Sequence, residues 1–544
     1  MQLKFSILFF VLYCLFMLNE VLVGDVLHKT IRTVVHVGQN VRIYPSSITQ
    51  TETFITRHPT STTILFASAN TIDLNSGFVS EGIYVSTNSG LNWYGSDTCK
   101  GLPITFHRGD PGIAIDANGN FILIRLGFSP GLYSHYSTDN GITWSSQKTI
   151  VTNDQDRASL VSDHIPSSKY YRRSYAVWVR YSPPFPLFIS YTDDGARTWS
   201  SPKQINIPTQ RGQGGEVAIG PNGIVYSCWA GVIDLSPFTE DFVGFASSTN
   251  GGTDWTIQEN AFDINGIAGI FSGKSNIRTN GLPRIDVDKS GGVYNGWIYI
   301  VTTQKNLSPA GSDPDIIVHC STNGGVTWSA GIRVNQDTVN NGKFQYFPAI
   351  HVDDKGGVNI LYYDDRNTTS DSAAVYLSRS TDGGTTWIDV QVSDHTFKPQ
   401  PIGGLGQGYQ GDNIGMTSVD NTLWPVWMDN STGSYQIWTC PIELSTLSVK
   451  DDEPPIPSQI ELKQNYPNPF NPTTNVSFTI RHPSFVDLKV FDFSGKEVKR
   501  LVHETKQPGE YSIVWDATGY ASGVYLYQLT VGKRTYVRKM LVIR

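Results

Sequence analysis

The chain is poor in charge, in cysteine and in long apolar runs. Only 16% of its 544 residues are charged, and the formal net charge is −7. This acidic balance disfavours nucleic acid as a partner, because phosphate binding needs a basic face. No block of like charge suggests a membrane-surface helix, and no segment after the N-terminus is apolar enough to span a bilayer. We therefore expect a protein with no nucleic-acid partner and no transmembrane segment in its mature part.

Cysteine is scarce as well. After Cys14, which lies in the apolar N-terminal segment, four cysteines are scattered along the chain: Cys99, Cys228, Cys320 and Cys440. Their spacing matches no metal site. In an exported protein they could form two disulfides, but three of them lie in strand-like runs. Buried free thiols are therefore the preferred interpretation.

Turn-forming and aromatic residues are abundant instead. The 51 Gly, 29 Pro, 26 Tyr, 25 Phe and 13 Trp suit many short β-strands joined by tight turns. One phrase, Ser-x-Asp/Asn-x-Gly-x-Thr/Asp-Trp, occurs in four complete copies: Ser137–Trp144, Ser248–Trp255, Ser321–Trp328 and Ser380–Trp387. Ser86–Trp93 is a near copy, and Tyr191–Trp199 carries one extra residue. The six tryptophans recur at intervals of 51 to 73 residues, which indicates a repeat architecture.

The residue types in this phrase explain its spacing. The Asp or Asn side chain caps backbone N–H groups of a tight turn, and the Gly adopts a conformation that a Cβ would forbid. The predicted capping residues are Asn88, Asp139, Asp193, Asn250, Asn323 and Asp382. The tryptophans expected to fold beneath the turns are Trp93, Trp144, Trp199, Trp255, Trp328 and Trp387. The six phrases resemble the Asp-box of the sialidase-like β-propellers, which implies an all-β propeller and a structural role for the boxes.

A second phrase supplies the remaining strands of each repeat. It is a short apolar strand ending in Asp or in a Gly/Asn turn, with copies at Asp110–Gly119, Glu216–Gly223, Leu282–Gly291 and Phe347–Gly356. Four strands per unit make one propeller blade. Six units carry an Asp-box and a seventh, from Asp412 to Ile442, does not, so we predict seven blades, with six as the alternative. We place Thr30–Gln39 as the outer strand of the last blade, because an unclosed ring would leave an open sheet edge.

The two ends of the chain read as export signals. Residues 1–24 have a Lys4 start, an apolar run and a small Gly24, which is typical of a signal peptide. The propeller is expected at 25–448, followed by a Pro-rich linker at 449–460. Residues 461–544 predict a small immunoglobulin-like β-sandwich. Its Tyr-Pro-Asn-Pro-Phe-Asn-Pro run at 466–472 resembles the type A C-terminal sorting domain of the type IX secretion system. The resemblance implies delivery by that machinery to the surface or medium of a Bacteroidetes–Ignavibacteria-type bacterium.

The resemblance to sialidases raises the hypothesis of an enzyme. Sialidase chemistry needs three arginines around a sugar carboxylate, an Asp proton donor, and a Tyr nucleophile activated by Glu. The family's first arginine stands in a Phe/Tyr-Arg-Ile-Pro phrase, and Val41–Pro45 comes close but has Tyr44 inserted. The arginines from which a triad could be assembled are Arg108, Arg157, Arg284 and Arg366. None lies in a distinctive phrase, so the catalytic residues stay unknown.

The central funnel of a propeller gathers side chains from every blade and is where ligands usually bind. The residues predicted to enter it are Arg108, Asp110, Glu216, Arg284, Tyr346, Arg366 and Asp412. Mixed charge with aromatic residues suits a polar ligand such as a polysaccharide. Asp313 with Asp315, and Asp364 with Asp365, offer the oxygen ligands that Ca²⁺ prefers, but such pairs are usually solvated loops. No metal or cofactor is predicted.

We expect a secreted or cell-surface monomer whose propeller engages an extracellular glycan or another polymer. Two alternatives stay open: a glycoside hydrolase such as an exo-sialidase, and a structural adhesin without a small ligand. The funnel distinguishes them, because catalysis demands two carboxylates at a fixed separation or an arginine cluster, and a scaffold demands neither.

Overall fold

The computed structural model describes residues 32–102, 106–447, 460–480, 484–506, 509–532 and 534–544. The predicted signal peptide, with Cys14, and nearly all of the predicted linker lie outside the described residues. Two compact units are present, one spanning Val35–Ser445 and the other containing the C-terminal domain. Among the described residues, no helix is long and apolar enough to cross a membrane.

Six four-stranded antiparallel sheets follow one another along the first unit. They are preceded by β1 (Arg32–Val37) and β2 (Val41–Arg42). The first three sheets consist of β3 (Thr49–Arg57), β4 (Leu65–Asp73), β5 (Phe78–Ser86) and β6 (Tyr94–Ser96); β7 (His107–Ile115), β8 (Phe121–Gly127), β9 (Gly131–Ser137) and β10 (Lys148–Thr152); and β11 (Gln155–Ser162), β12 (Ser174–Arg180), β13 (Leu187–Thr192) and β14 (Lys203–Gln204).

The next sheets are separated by a short hairpin. The fourth sheet consists of β15 (Arg211–Ile219), β16 (Val225–Val232), β17 (Glu240–Ser248) and β18 (Thr256–Asp263), and the hairpin of β19 (Gly269–Phe271) and β20 (Ile277–Thr279). The fifth and sixth sheets consist of β21 (Arg284–Val287), β22 (Ile298–Gln304), β23 (Asp315–Ser321) and β24 (Ile332–Arg333), and of β25 (Gln345–Val352), β26 (Val358–Asp364), β27 (Ala374–Ser380) and β28 (Ile388–Gln391). The seventh contains β29 (Gly415–Val419), β30 (Thr422–Asp429), β31 (Gln436–Thr439) and β32 (Ile442–Leu447). Two 3₁₀ turns lie at Ser272–Lys274 and Gly404–Gly406.

The first strand of each sheet contacts the first strand of the next. The series runs through β3, β7, β11, β15, β21, β25 and β29, and β29 returns to β3. Seven inner strands therefore enclose a central channel, and the fold is an all-β, seven-bladed propeller rather than the six-bladed alternative. Apolar cores lie between neighbouring blades, as where Phe66 of blade 1 stacks on Phe121 of blade 2 at 5.0 Å.

The ring is closed by a shorter strand than the sequence predicted. Val41 and Arg42 of β2 pair with Thr439 and Trp438 of β31, which makes Val41–Arg42 the outer strand of blade 7. The prediction that Thr30–Gln39 forms this strand is wrong. The described part of that segment, β1, lies beside β32 in the same sheet. The cause is a close passage at Gly38, whose N–H donates to the Pro441 carbonyl at 2.8 Å and whose Cβ, if present, would lie 2.7 Å from the Pro441 ring.

The Asp-boxes adopt the turn that their chemistry predicts. In blade 2, the Ser137 hydroxyl donates to Asp139 Oδ1 at 2.8 Å, and the Thr143 N–H donates to the same oxygen at 2.9 Å. The Trp144 indole N–H donates to the Gly141 carbonyl at 3.0 Å. The capping oxygens of Asn88, Asn250, Asn323 and Asp382 accept the matching backbone N–H at 2.8–3.0 Å. The indole N–H groups of Trp93, Trp255 and Trp387 donate to a Gly carbonyl as Trp144 does, and Trp328 packs on Phe245 with ring centroids 5.1 Å apart.

The capping residue of the third box is Asp194, and the prediction of Asp193 is wrong. Asp194 accepts from the Thr192 hydroxyl at 2.8 Å and from the Thr198 N–H at 2.9 Å. Thr192 takes the place of Ser and Ala196 that of the glycine, with φ at 66°, so this box has no extra residue. Asp193 points away and pairs with Arg173 at 2.7 Å. In this box the Trp199 indole N–H donates to Ser134 Oγ of the neighbouring blade at 2.9 Å.

The four described cysteines are free thiols. Cys99, Cys228 and Cys440 are buried, and Cys320 is partly buried. Burial raises the pKa of Cys99, Cys320 and Cys440 to about 12, so these groups stay protonated at neutral pH. They act as small apolar side chains between the strands.

The second unit is the expected β-sandwich. One sheet has the order β33 (Glu461–Leu462), β34 (Thr473–Ile480), β37 (Gly509–Asp516), and the other the order β36 (Glu497–Lys506), β35 (Ser484–Asp492), β38 (Gly523–Val531), β39 (Arg534–Val542). Alternate residues of these strands, including Trp515, Tyr527 and Leu529, are buried in a core of their own.

The third Asp-box allows a matched test of its capping residue. We expect Asp194→Ala to lower the stability of the propeller by about 1–2 kcal/mol, because several backbone and hydroxyl donors lose their acceptor. Asp193→Ala removes only an exposed ion pair and should cost less than about 1 kcal/mol. Thermal unfolding followed by circular dichroism measures both. An equal loss in the two variants would contradict the assignment of Asp194.

Candidate functional site

A cavity of about 380 Å³ opens at the centre of one face of the propeller. Strand starts from blades 1 to 4 line it, together with the segments that precede blades 5 and 7. Five carboxylates line this cavity: Glu52, Asp110, Asp154, Asp156 and Asp412. Four arginines line it as well: Arg108, Arg157, Arg211 and Arg278. Its volume lies within the range of small-ligand sites, about 300–1,000 Å³.

Bulges in the inner strands aim side chains at this cavity. The strand register shifts in β3, β7 and β11 at Glu52, Asp110 and Arg157 respectively. All three residues have a positive φ, of 52°, 55° and 33°. A bulge turns a side chain out of the regular alternation, and a left-handed non-glycine residue is strained unless its surroundings hold it. Equivalent bulges place Gly214 in blade 4 and Phe347 in blade 6.

Glu52 and Asp110 lie side by side between blades 1 and 2, close enough for one carboxyl group to hydrogen-bond to the other when it carries a proton. Asn70 of β4 holds both of them. Its amide donates to Glu52 Oε2 at 2.7 Å, and its carbonyl oxygen accepts the Asp110 N–H at 2.7 Å. Gly109 permits this approach, since a Cβ there would lie 2.7 Å from Asn70 Oδ1.

The pair retains protons that ordinary carboxyl groups lose. Burial raises the pKa of Glu52 well above its usual range, and the negative charges of Asp412 and Asp110 raise it further. Burial also raises the pKa of Asp110 to about 7, with Asp156 and Asp412 adding to the effect. The hydrogen bond stabilises the protonated form of Glu52 and the ionised form of Asp110. The pair as a whole therefore retains a proton near neutral pH.

Two further carboxylates surround this pair. Burial raises the pKa of Asp156, although Arg157 counteracts the shift. Asp412 accepts a hydrogen bond from the Asn280 amide at 2.6 Å and one from the Asn413 amide at 3.1 Å. The site thus combines a carboxyl group that keeps its proton with carboxylates held in fixed positions, the combination that general acid–base catalysis uses.

An ion-paired layer lies beneath the cavity. The Arg157 guanidinium bonds to Glu216, and the Ser159 hydroxyl donates to Glu216 Oε2 at 2.8 Å. Arg284 lies 3.7 Å from Glu216 and donates to Asn413 Oδ1 at 2.8 Å. Burial and the nearby Arg157 lower the pKa of Arg284 to about 10, which leaves it charged at neutral pH. Glu216 and Arg284 line a second cavity of about 220 Å³ between the inner strands.

Two other arginines rest on aromatic rings at the cavity wall. The Arg278 guanidinium lies 4.7 Å from the centre of the Tyr409 ring and donates to Gln407 Oε1 at 3.2 Å. The Arg211 guanidinium lies 4.4 Å from the Phe185 ring centre. Stacking fixes the plane of a guanidinium while its N–H groups stay available to an acceptor.

The seven predicted funnel residues separate into three groups. Arg108, Asp110 and Asp412 line the upper cavity, and Arg108 pairs there with Asp154 at 3.3 Å. Glu216 and Arg284 lie in the layer beneath. The structure does not bring the last two, Tyr346 and Arg366, to the upper cavity.

Tyr346 and Arg366 are engaged inside the blades. Tyr346 is fully buried, and its hydroxyl donates to Gln410 Oε1 at 3.2 Å. Arg366 pairs with Asp364 at 2.6 Å and with Asp389 on the outer strand of blade 6 at 2.5 Å. Arg42, the nearest match to the first sialidase arginine, lies on the outermost strand of blade 7.

Sequence reasoning missed Glu52, Asp156, Arg211 and Arg278. The sequence did contain a signal for Glu52, because its position in blade 1 is equivalent to that of Asp110 in blade 2. Each acid lies three residues before an isoleucine of the inner strand, Ile55 or Ile113. Arg278 lies in the hairpin inserted before blade 5 and had no signal in the repeat.

Three of the four acids considered for Ca²⁺ are bound by other side chains, and Asp313 accepts the Gly342 N–H at 2.7 Å. Asp315 accepts from Arg333 at 2.7 Å, Asp364 from Arg366, and Asp365 pairs with Lys274. Within the described ranges, no group of three or more His, Cys, Asp or Glu side chains is arranged to hold a metal ion.

The raised pKa of Asp110 predicts a pH-dependent stability. An acid with a pKa of about 3.9 in the unfolded chain and about 7 in the fold contributes stability that is complete below about 3.9 and is lost as the pH rises through about 7. We expect the melting temperature to fall between pH 5 and pH 8, and to fall less in Asp110→Asn. Calorimetry at both pH values measures this, with the exposed Asp420→Asn as a control that should behave as the parent. An unchanged pH response in Asp110→Asn would contradict the assignment.

Comparisons with known proteins bear on both units. Residues 464–543 match the family model described as the secretion system C-terminal sorting domain. A search of curated proteins found no match. An ulvan lyase structure, bound to a glucuronic acid–sulfated rhamnose fragment, is 13% identical over 76% of this chain and 96% of its own, with a TM-score of 0.45.

Two further solved structures are similar at the same level. An α-L-arabinanase from Penicillium chrysogenum, complexed with arabinobiose, is 14% identical over 64% of this chain and 98% of its own, with a TM-score of 0.40. A sialidase from Streptococcus pneumoniae is 10% identical over 66% of this chain and 71% of its own, with a TM-score of 0.40. None of these likenesses assigns an activity to this chain. The sorting-domain match does assign a destination: the protein carries a type IX secretion sorting domain and is a secreted or cell-surface protein.

Proposed function

We propose that the propeller binds an extracellular polysaccharide in its central cavity and hydrolyses a glycosidic bond there. The observation that carries this proposal is the pair of Glu52 and Asp110, which Asn70 holds side by side in the wall of the cavity. Burial and the neighbouring negative charges raise the pKa of both carboxyl groups. Two buried, strained carboxyl groups beside two more carboxylates repel one another and destabilise the fold, and a purely structural propeller does not need them. An acid–base site uses this arrangement directly.

Glu52 is the proton donor in the proposed reaction. Its carboxyl proton passes to the glycosidic oxygen as the bond from that oxygen to the anomeric carbon breaks, and the bonding electrons leave with the oxygen. The oxygen of a water molecule bonds to the anomeric carbon, and a proton of that water passes to the Asp156 carboxylate. The negative charges of Asp156 and Asp412 stabilise the positive charge that develops on the sugar.

The arginines supply substrate binding. Arg211 and Arg278 present guanidinium groups fixed against aromatic rings, which suits hydrogen bonding to sugar hydroxyls or to an acidic substituent. Of the four arginines that line the cavity, Arg108 pairs with Asp154 and Arg157 with Glu216. This favours a hydrolase that does not depend on three arginines around one carboxylate, and so a reaction other than that of a sialidase. Export to the cell surface places the site where polysaccharides are available.

Substitution of the proton donor tests the reaction. We expect Glu52→Gln to lower the hydrolysis rate about 100- to 10,000-fold, since an amide cannot donate a proton to the leaving oxygen. The measurement is release of reducing ends by the purified full-length protein from linear arabinan, ulvan, hyaluronan and xylan, with sialyllactose added to detect a sialidase.

Glu259→Gln provides a matched control. Glu259 is also a partly buried glutamate whose pKa burial raises, but it lies on the outer strand of blade 4, where it accepts the Ile207 N–H at 2.8 Å. This variant should hydrolyse as the parent does. Equal activity of the Glu52→Gln protein and the parent would refute the role of Glu52. If the protein binds a polymer but releases no reducing ends from it, binding alone would replace hydrolysis as the function of the cavity.

A further inference from the structure

Three phenylalanines, of which Phe128 is exposed and Phe78 and Phe106 are half-buried, lie beside the cavity at blades 1 and 2. Phe106 lies edge-on to Phe128, with ring centroids 5.5 Å apart, and Phe78 lies edge-on to Phe106 at 6.5 Å. Phe128 is 65% exposed, and Leu74, in the hairpin turn that leads to Phe78, is 62% exposed. We call Leu74, Phe78, Phe106 and Phe128 the aromatic ledge. Large apolar side chains left in water at a binding face commonly mark a contact with a partner.

The ledge is continuous with the cavity along the chain. Val79, Arg108 and Leu126 line the cavity, and each lies within two residues of a ledge phenylalanine. The pairing of β7 with β8 brings Phe106 and Phe128 to the same end of blade 2. Gly127, at the end of β8, lies opposite His107, at the start of β7. Phe128 therefore follows β8 at the end of blade 2 from which Asp110 enters the cavity.

Different segments of the chain border the two sides of the cavity. On the side of blades 1 and 2, the connections beside the ledge are the short segments 74–77 and 128–130. On the opposite side, the hairpin of β19 and β20 packs against the segment at 403–411, where the Arg278 N–H donates to the Gly408 carbonyl at 2.8 Å. These insertions wall the cavity on the side of blades 5 to 7. A chain that leaves the cavity on the side of the ledge avoids these insertions.

We propose that the aromatic ledge binds the part of a polysaccharide chain that extends out of the cavity, so that the protein recognises a polymer of several sugar residues rather than a small glycoside. This inference rests on the proposed function for the contents of the cavity. Sugar rings have a C–H face that packs on an aromatic ring while their hydroxyl groups stay hydrated, and phenylalanines without a polar partner offer that contact. Three rings and one leucine are too few for a stable protein interface, which buries about 800 Å² on each partner.

Phe128→Ala tests the ledge, and Phe128→Trp serves as its conservative counterpart. The probes are the polysaccharide from the panel that the parent protein hydrolyses fastest and the 4-nitrophenyl glycoside of its sugar. We expect Phe128→Ala to raise KM for the polymer about three- to tenfold and to leave both KM and kcat for the small glycoside unchanged. Phe128→Trp should restore the parent KM. Ile142→Ala, a change at a 67% exposed apolar residue in the Asp-box of blade 2, is the matched control.

The outcomes separate this inference from the proposed function. Binding to the ledge can also be measured without hydrolysis, by migration through native gels that contain linear arabinan, ulvan, hyaluronan or xylan. If Phe128→Ala migrates faster than the parent in such a gel while Glu52→Gln hydrolyses normally, the ledge is supported and the role of Glu52 is refuted. An unchanged polymer KM in Phe128→Ala, or an equal rise for the small glycoside, overturns the ledge. So does a parent protein that none of the four polysaccharides retards. A parent dimer that Phe128→Ala converts to a monomer, measured by light scattering, overturns it as well and assigns the patch to self-association.

Discussion

Ring closure is the constraint on which the propeller depends. Seven antiparallel sheets can surround a channel only if the last sheet pairs with the first part of the chain, because an unpaired edge would leave backbone N–H and C=O groups exposed. Val41 and Arg42 provide that pairing through Thr439 and Trp438. Once the ring is closed, each inner strand has a fixed place, and side chains from blades distant in the sequence meet at the centre.

The central site arises because the same strand position is repeated in several blades while the residue at that position differs. Every blade brings an inner strand to the channel, and a bulge in five of them turns one residue toward the cavity face. The repeat supplies the position, and the residue type at that position supplies the chemistry. Glu52 and Asp110 occupy it in neighbouring blades, so two acids come close enough to share a hydrogen bond. Gly214 and Phe347 occupy it elsewhere and add no charge. An architecture made for stability thus produces an asymmetric site by substitution at one position.

The sequence predicted the repeated parts well and the single parts poorly. The Asp-boxes, the four-stranded blades and the sorting domain each rest on a phrase whose residues act on their near neighbours. The register of the third box was misjudged because Asp193 and Asp194 are adjacent acids, and only the hydrogen bonds of Thr192 and Thr198 identify the capping one. Asp110 and Asp412 were placed at the funnel from their position before a strand. Arg366 was placed there from its position at the end of a second strand, but it pairs with Asp364 and Asp389 inside its blade.

The all-β architecture, the turns that link its strands and the destination of the protein follow from the amino-acid order alone, because they depend on residues close together in the chain. The strand that closes the ring, the arginines without an acidic partner and the raised pKa values of the carboxyl groups follow only from the folded ring. Those properties depend on contacts between residues far apart, such as Glu52 with Asp110 and Arg157 with Glu216. The pKa of a carboxyl group is set by the charges beside it and by the water that reaches it, and the closed ring fixes both.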